Sequence, residues 1–531
     1  MTLPPVVAMP PAPLPSLASL SARDLDPLPL DLPANAFVIV CSALVLIMIP
    51  GLGYFYSGLS HHKNALVFLH LCMLSLAIVS VQWFMWGFSL AFSPNGGPFI
   101  GNGYYLGLKN IGGTTYPGTV ISTDVFVMFQ AMFAALTAAL PFGSAADRTR
   151  ILPSMLFILI WTTLVYDFVA YWVWAPNGWL RARGYLDFAG GCPVEVVSGF
   201  AGLAFAMYMG PRRTRLADEK PHNLSFMVLG TSLLWFGWLG FNGGSAFNSS
   251  ARAGMAVLVT NLAASTAGLV WMFWDYIYHG HKYSCVGFCL GAVAGLVAIT
   301  PAAGFVEPWA GVIVGIVSAT LCRTVAEFNK KRGLLDDTLD VFAVHGLGGV
   351  IGNLLVGVFA TSSIIELDTT GVDGGWLNKN WKQLGVQAYA TAVCGAWSFT
   401  MTYLIFWIMD RIPGLHFRVK ERHEREGLDH AQMGEYAYNY HRTVEADERN
   451  GNGPTGGVPL SDIALDAIDK RASGASLDTA EIDVVPPKPV SPHHLRGLCS
   501  GNTQSTIIVE EDDGRRRKTA SARKVGSGSA V

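Results

Sequence analysis

The chain has 531 residues, of which 51 % are hydrophobic and only 14 % charged, with a formal net charge of −2. Soluble domains carry about 25 % charged residues, so this balance, with a mean hydropathy of +0.37, reads as a polytopic membrane protein and excludes a soluble globular class. No basic stripe with interleaved aromatics suggests nucleic acid as a partner. The eight cysteines are scattered, mostly within apolar segments (Cys72, Cys289, Cys394), and no CxxC pair occurs, so neither a zinc site nor a disulfide framework is indicated.

Residues 1–34 are rich in Pro, Leu and Ser and lack a basic n-region ahead of an apolar core. They read as an exposed extracellular tail rather than a cleaved signal. Apolar runs of spanning length, about 20 residues, follow near 35–59, 65–92, 120–146, 151–174, 191–210, 223–246, 254–278, 283–301, 306–328, 341–361 and 384–410. The expectation is an all-α, eleven-span domain over residues 35–412. Lys63, Arg148, Arg150, Arg212, Arg213, Arg215, Lys220, Lys282, Lys330, Lys331 and Arg332 fall in loops on one side, while the opposite loops hold fewer (Lys109, Arg181, Arg183, Arg252, Lys379, Lys382). The excess of basic residues marks the cytosolic side, which places the N-terminus outside and the C-terminus in the cytosol. Residues 413–442 form a charged, amphipathic cytosolic segment. Beyond them, 443–531 is too rich in Gly, Pro, Ser, Asp and Lys to bury a core and reads as disordered.

Two stretches organise the spans: Asp187-Phe-Ala-Gly-Gly-Cys-Pro-Val-Glu195 and Asp337-Thr-Leu-Asp-Val-Phe-Ala-Val-His345. Each sets a carboxylate at the mouth of a span and a second ionisable residue eight positions on. Read as continuous helix, that puts both groups near one face, about 12 Å apart. Ionisable residues inside a span are costly and are functional candidates by default. With the fifth span running inward and the tenth outward, spans one to five and six to ten are expected to form a 5+5 inverted repeat, with Glu195 and His345 meeting near its axis. Asp167, in the fourth span, is ambiguous between a buried polar contact, the reading favoured, and a member of the proton path; Asp336 and Asp340 read as caps or loop anchors. A Glu/His pair with no further His or Cys nearby does not make a metal site. The sequon Asn248-Ser-Ser stands too near the membrane for glycosylation to be expected.

The runs Gly51-Leu-Gly-Tyr-Phe-Tyr-Ser-Gly58, Asp187-Phe-Ala-Gly-Gly191, Trp238-Leu-Gly-Phe-Asn-Gly-Gly-Ser245, Ala294-Gly-Leu-Val-Ala-Ile-Thr-Pro301 and Asp336-Asp-Thr-Leu-Asp-Val-Phe-Ala-Val-His-Gly346 resemble the Amt/Mep/Rh ammonium transporter family. The pieces Arg425-Glu-Gly-Leu-Asp429 and Gly434-Glu-Tyr-Ala-Tyr438 resemble its regulatory C-terminal motif, and the match is collinear over about residues 35–440. The resemblance implies a homotrimer in the plasma membrane, in contact with lipid, with one pore per subunit and no cofactor. It implies that Phe133 and Phe241 close the outer end of the pore, that Trp174 and Ser245 receive the ammonium ion, and that Asp187 supports that site and proton movement. Glu195 and His345 occupy the twin-histidine positions; Thr300 matches a pore-adjacent threonine and Asp337 the inner-mouth aspartate. Three positions depart from the pattern. Glu195 stands for a histidine, as in one subset of fungal Mep proteins; Cys192 stands for a threonine and Met433 for a histidine of the tail motif.

These residue types suit the cargo. A bare cation in a low-dielectric span costs on the order of tens of kcal/mol, but ammonium, with an amine-like pKa, sheds its proton near neutral pH for about 3–5 kcal/mol. Sodium and potassium have no proton to shed. An aromatic face for the cation, aromatic plugs against water and a chain of titratable groups are the parts required. An acid beside an imidazole titrates as a coupled pair, which is expected to shift the pH optimum relative to two imidazoles. The rivals to coupled transport are passive passage of neutral ammonia, a sensor that signals through its tail, and a membrane-embedded enzyme, against which the lack of any nucleophile–base or metal-ligand cluster in the sequence argues. The tail pattern Arg515-Arg-Arg-Lys-Thr519-Ala-Ser521 resembles a basophilic kinase site, which makes a kinase acting at Thr519 or Ser521 a candidate partner, although such patterns recur by chance.

Overall fold

The computed structural model describes residues 28–213, 221–333, 335–368 and 372–438. All of them fall in one unit, Met1–Asn450. Most of the expected N-terminal tail, all of 443–531 and with it Thr519 and Ser521 lie outside the described residues. Among those residues there is no strand, only the isolated bridges Thr115–Ser122 and Thr149–Arg418.

Ten helices among the described residues are long and apolar enough to cross a membrane: α1 Leu32–Leu59, α2 His62–Phe92, α3 Thr123–Ser144, α4 Ile151–Trp174, α5 Gly191–Met209, α6 Leu224–Gly244, α7 Ala251–Tyr278, α9 Pro308–Arg332, α10 Phe342–Phe359 and α11 Gln383–Met409. An eleventh apolar helix, α8 Cys285–Ile299, has 15 residues. The run 283–301 is therefore shorter as a helix than its hydropathy predicts. From Gly287 to Ile299 nearly every residue of α8 is buried, so it is packed in protein over most of its length. Burial also sorts the others. In the most apolar stretch of α3, 94 % of residues are buried, against 39 % for α11; α3 is central and α11 peripheral.

Local signals start and stop the helices. The Asp31 carboxylate accepts from Ala34 N at 3.0 Å and opens α1. Asn223 and Ser284 do the same for α6 and α8, taking up N–H groups that have no partner within the helix. Pro308 stands in the first turn of α9 and Gly333, at φ 60°, ends it. Two groups of charges expected in loops lie on helices instead: Lys330, Lys331 and Arg332 form the last turn of α9, where cations suit the helix dipole, and Arg252 is buried in the first turn of α7. Arg252 pays for its desolvation through Asp368, 3.1 Å from its Nη1, and through the rings of Phe188 and Phe305.

One end of the bundle is stitched by side chains. Arg148, fully buried, donates to Asp147 Oδ1 (2.7 Å), Thr338 Oγ1 (2.9 Å) and the Gly210 and Asp336 carbonyls. Arg212 pairs with Asp336 at 2.7 Å. The segment after α11 docks on this same end. Glu424, on α12 (Glu421–Glu426), accepts from Arg213 N; the Asp429 carboxylate accepts from Leu66 N and Val67 N at the start of α2. Gln432 bonds Thr149 O and Ile151 N. The loops that carry most of the basic residues thus share one end, with the C-terminal segment laid across it.

Candidate functional site

α5 and α10 are built alike. Each opens with a π turn, Gly191–Val196 in one and Phe342–Gly346 in the other, and continues as a 13-residue α-helix. They approach until backbone meets backbone: a Cβ on Gly199 would stand 2.0 Å from Gly346 N, and one on Gly349 would stand 2.9 Å from Glu195 Cβ. Only glycine permits this crossing. It brings Glu195 Oε2 to 2.7 Å from His345 Nδ1, with Glu195 fully buried and His345 at 4 % exposure. The second carboxylate oxygen, Glu195 Oε1, has no hydrogen-bond partner among the described residues.

The two aspartates that precede these residues lie outside the helices, which corrects the reading of each Asp-to-ionisable stretch as continuous helix. Gly190 takes φ 123° and Asp340 φ 57°, breaking the chain before each span. Asp187 Oδ1 accepts from Gly190 N and Gly191 N, and Oδ2 from Cys192 N, all at 2.7 Å. Asp337 Oδ2 accepts from Phe342 N at 2.8 Å. Both carboxylates fill the place of helix caps. Burial pushes the Asp337 carboxyl up to about 6, Asp340 adds to the rise, and the Phe342 N–H opposes it. Asp336 and Asp340 are not caps but anchors: Asp336 holds Arg212 and Asp340 holds Lys330. Asn248, of the sequon, is half-buried: it accepts from Ser250 N at 3.0 Å, and its Nδ2 lies 3.4 Å from Asp368 Oδ2.

The aromatic candidates come together. Phe133 of α3 and Phe241 of α6 stack with centroids 3.9 Å apart at 17°. Trp174, at the end of α4, meets Phe133 edge-to-face at 6.1 Å, and its Nε1 donates to the Asp187 carbonyl at 3.2 Å. Asp187 therefore touches Trp174 through its backbone, while its carboxylate is given to the α5 turn. Ser245, one turn beyond Phe241, donates its hydroxyl to the Phe241 carbonyl at 2.8 Å. Thr300 Oγ1 accepts from Trp238 Nε1 at 2.8 Å, and the Trp238 ring lies 5.6 Å from Phe241. Thr300 thus braces the aromatic stack from behind.

Sequence reasoning missed Tyr185 and Asn353. The Tyr185 hydroxyl lies 2.8 Å from Asn353 Oδ1, 3.0 Å from Cys192 Sγ and 3.3 Å from Asp187 Oδ2. It ties the Asp187 turn to the far half of α10, and Cys192 takes part as a weak acceptor. Asn353 carried a signal in the sequence, as a polar residue inside an apolar span; Tyr185 carried none.

A family model described as the Ammonium Transporter Family matches residues 36–438. Ammonium transporter 1 of Schizosaccharomyces pombe is 48 % identical over 409 residues, covering 76 % of this chain and 82 % of that protein. Ammonium transporter MEP2 of Saccharomyces cerevisiae is 43 % identical, covering 77 % and 84 %. The crystal structure of Candida albicans Mep2 superposes with a TM-score of 0.72 at 46 % identity, over 77 % of this chain and 91 % of that one.

Proposed function

The chain belongs to the ammonium transporter family and is a multi-pass ammonium transporter, and from that premise we propose that it takes up the ion in steps set by the residues above. Ammonium is recruited at Trp174 and Ser245, where an indole face and a hydroxyl suit a small polar cation. It is stripped of its proton beneath the Phe133/Phe241 stack. Neutral ammonia then passes the apolar path, while the proton moves separately by way of Glu195 and His345, and the ion re-forms at the Asp337 end. Asp187 and Thr300 act by positioning: one fixes the first turn of α5 and the carbonyl that holds Trp174, the other holds Trp238 behind the stack.

The proposal includes eleven spans, counting α8, in a 5+5 inverted repeat with the N-terminus outside and the C-terminus cytosolic. What supports the repeat is the common plan of α5 and α10: aspartate cap, π turn, ionisable residue, glycine crossing. It also includes a plasma-membrane homotrimer in contact with lipid, and 413–442 as a regulatory segment. Regulation through a kinase acting at Thr519 or Ser521 belongs to the same reading.

The observation that carries the mechanism is the 2.7 Å contact between Glu195 and His345. An acid hydrogen-bonded to an imidazole, both out of water, can hand a proton from one to the other. Electrophysiology on proteoliposomes tests it, with wild type, Glu195→Ala and His345→Ala across pH. Ammonium should evoke a current that sodium does not, and both variants should lose it. Uptake with no current in the wild type would instead establish passive ammonia passage. Removal of residues 443–531 with uptake intact and downstream signalling lost would favour a sensor.

A further inference from the structure

One buried carboxylate takes no part in the pathway above. Asp167, with no exposed surface, stands in α4 where the π turn Thr162–Tyr166 returns to regular helix. It faces α2 at the point where a second π turn, Trp83–Gly87, begins just after Gln82. Such single π turns recur at functional sites. Gln82 Nε2 donates to Asp167 Oδ2 at 2.7 Å and to Thr163 Oγ1 at 3.2 Å. Trp86 Nε1 also donates to Thr163 Oγ1, which passes its own proton back to the Leu159 carbonyl. The Gln82, Trp86 and Thr163 donors are then spent, yet three polar groups remain without a partner. Asp167 Oδ1, Gln82 Oε1 and the Tyr166 hydroxyl are buried with no hydrogen-bond partner among the described residues. Gly87 makes room for this arrangement, since a Cβ there would stand 2.3 Å from Gln82 Oε1.

The charge does not balance. A carboxylate inside a span costs on the order of tens of kcal/mol by Born solvation, and one amide N–H offsets little of that. No Lys, Arg or His forms an ion pair with Asp167 among the described residues. The side chain that bonds it is Gln82 from α2, Tyr166 is its neighbour in α4, and neither carries a positive charge. Two acceptor oxygens without a donor, on groups already joined by a 2.7 Å bond, call for a positive charge on or between them.

We propose that the Gln82–Asp167–Tyr166 cluster between α2 and α4 is a second ionic site, apart from the Glu195–His345 contact, and binds one positive charge: a proton or a small monovalent cation. Its occupancy bears on transport through α4. Trp174 follows Asp167 by two turns on the same face, about 10 Å along the axis, so the packing of Asp167 against α2 sets how Trp174 is presented.

The test uses the full-length protein in lipid nanodiscs. Infrared spectra of wild type minus Asp167→Asn, in light and heavy water, should contain a carboxylic acid band that shifts on deuteration if the site holds a proton. If it holds a cation, the wild-type Tm should rise by several degrees between choline chloride and sodium chloride at equal ionic strength, and the Asp167→Asn Tm should not. An ionised-carboxylate band together with a salt-independent Tm overturns the proposal. Should Asp167→Asn not fold, Gln82→Met replaces it: removing the amide should move the acid band or abolish the sodium response, and no change in either overturns the proposal equally.

Discussion

Glu195 and His345 are 150 positions apart in the chain and 2.7 Å apart in space, each on the π turn that opens a 13-residue helix. A π turn widens the backbone by one residue and swings the side chain that follows, so two helices that cross at glycines can point these groups at one another. Replacing Glu195 by Gln keeps the shape and leaves an acceptor for the imidazole N–H but removes the group that can take a proton. Glu195→Gln should fold with an unchanged Tm and lose the ammonium-evoked current by at least about ten-fold, roughly 1.4 kcal/mol in barrier. Currents in proteoliposomes normalised to protein check this; a current equal to wild type would remove Glu195 from the proton path.

Phe133 and Phe241 form the closest ring pair of the candidate path, 3.9 Å between centroids and both nearly without exposed surface. Truncating Phe133 to Ala removes a packed ring in the centre of the bundle and should cost about 3–5 kcal/mol of stability. It also opens the stack to water. The expected outcome is a lower Tm together with a potassium-evoked current that wild type lacks. Phe133→Leu, which retains most of the volume, should keep the stability and show a smaller leak.

Much of the fold could be read from the chain. The runs at 65–92, 151–174 and 191–210 agree with α2, α4 and α5 to within a few residues, because a span must be apolar for its whole length and hydropathy reports that directly. The candidate residues were legible for the same reason: Glu195 and His345 stand out against apolar neighbours. What the chain concealed were the effects of distant partners. Asp187 and Asp337 looked like helix residues because a carboxylate beside an apolar run is compatible with either a first turn or a cap. The decision rests on the positive φ of Gly190 and Asp340. Tyr185 acquires its place only when α10 brings Asn353 to it across 168 positions, and no local pattern reports that.

Arg148 is fully buried and held by four partners, its neighbour Asp147 and three groups from two other loops at the same end of the bundle. Removing it leaves Asp147 without its main counter-ion and frees carbonyls at Gly210 and Asp336. Arg148→Ala should cost about 3–5 kcal/mol, the range for breaking one side of a buried pair. Arg148→Lys should recover only part of this, since an ammonium cannot reproduce the planar fork. Detergent-solubilised thermal unfolding of the three proteins gives the ordering wild type, Lys, Ala.

The docking of the C-terminal segment should depend on pH through Asp429. Its carboxylate caps α2, accepting from Leu66 N and Val67 N at 2.9 and 2.8 Å. Burial pushes its pKa up to about 6 from the usual 3.8, although both N–H groups pull the other way. A carboxyl whose docked pKa exceeds its free value binds more protons when docked. It therefore favours docking fully below about pH 4, and that advantage fades as pH rises through about 6. A shift of about two units is worth about 3 kcal/mol at most, less to the extent that the site keeps contact with water. Hydrogen exchange at Leu66 and Val67 should thus be slower, after correction for intrinsic rates, at pH 5.5 than at pH 7.5. Asp429→Asn carries no titrating group, keeps one acceptor oxygen, and should exchange with no such pH dependence. Equal pH dependence in the variant and the wild type would place the titrating group elsewhere, with His62, His430 and Glu426 of the adjoining cleft as the residues to substitute next.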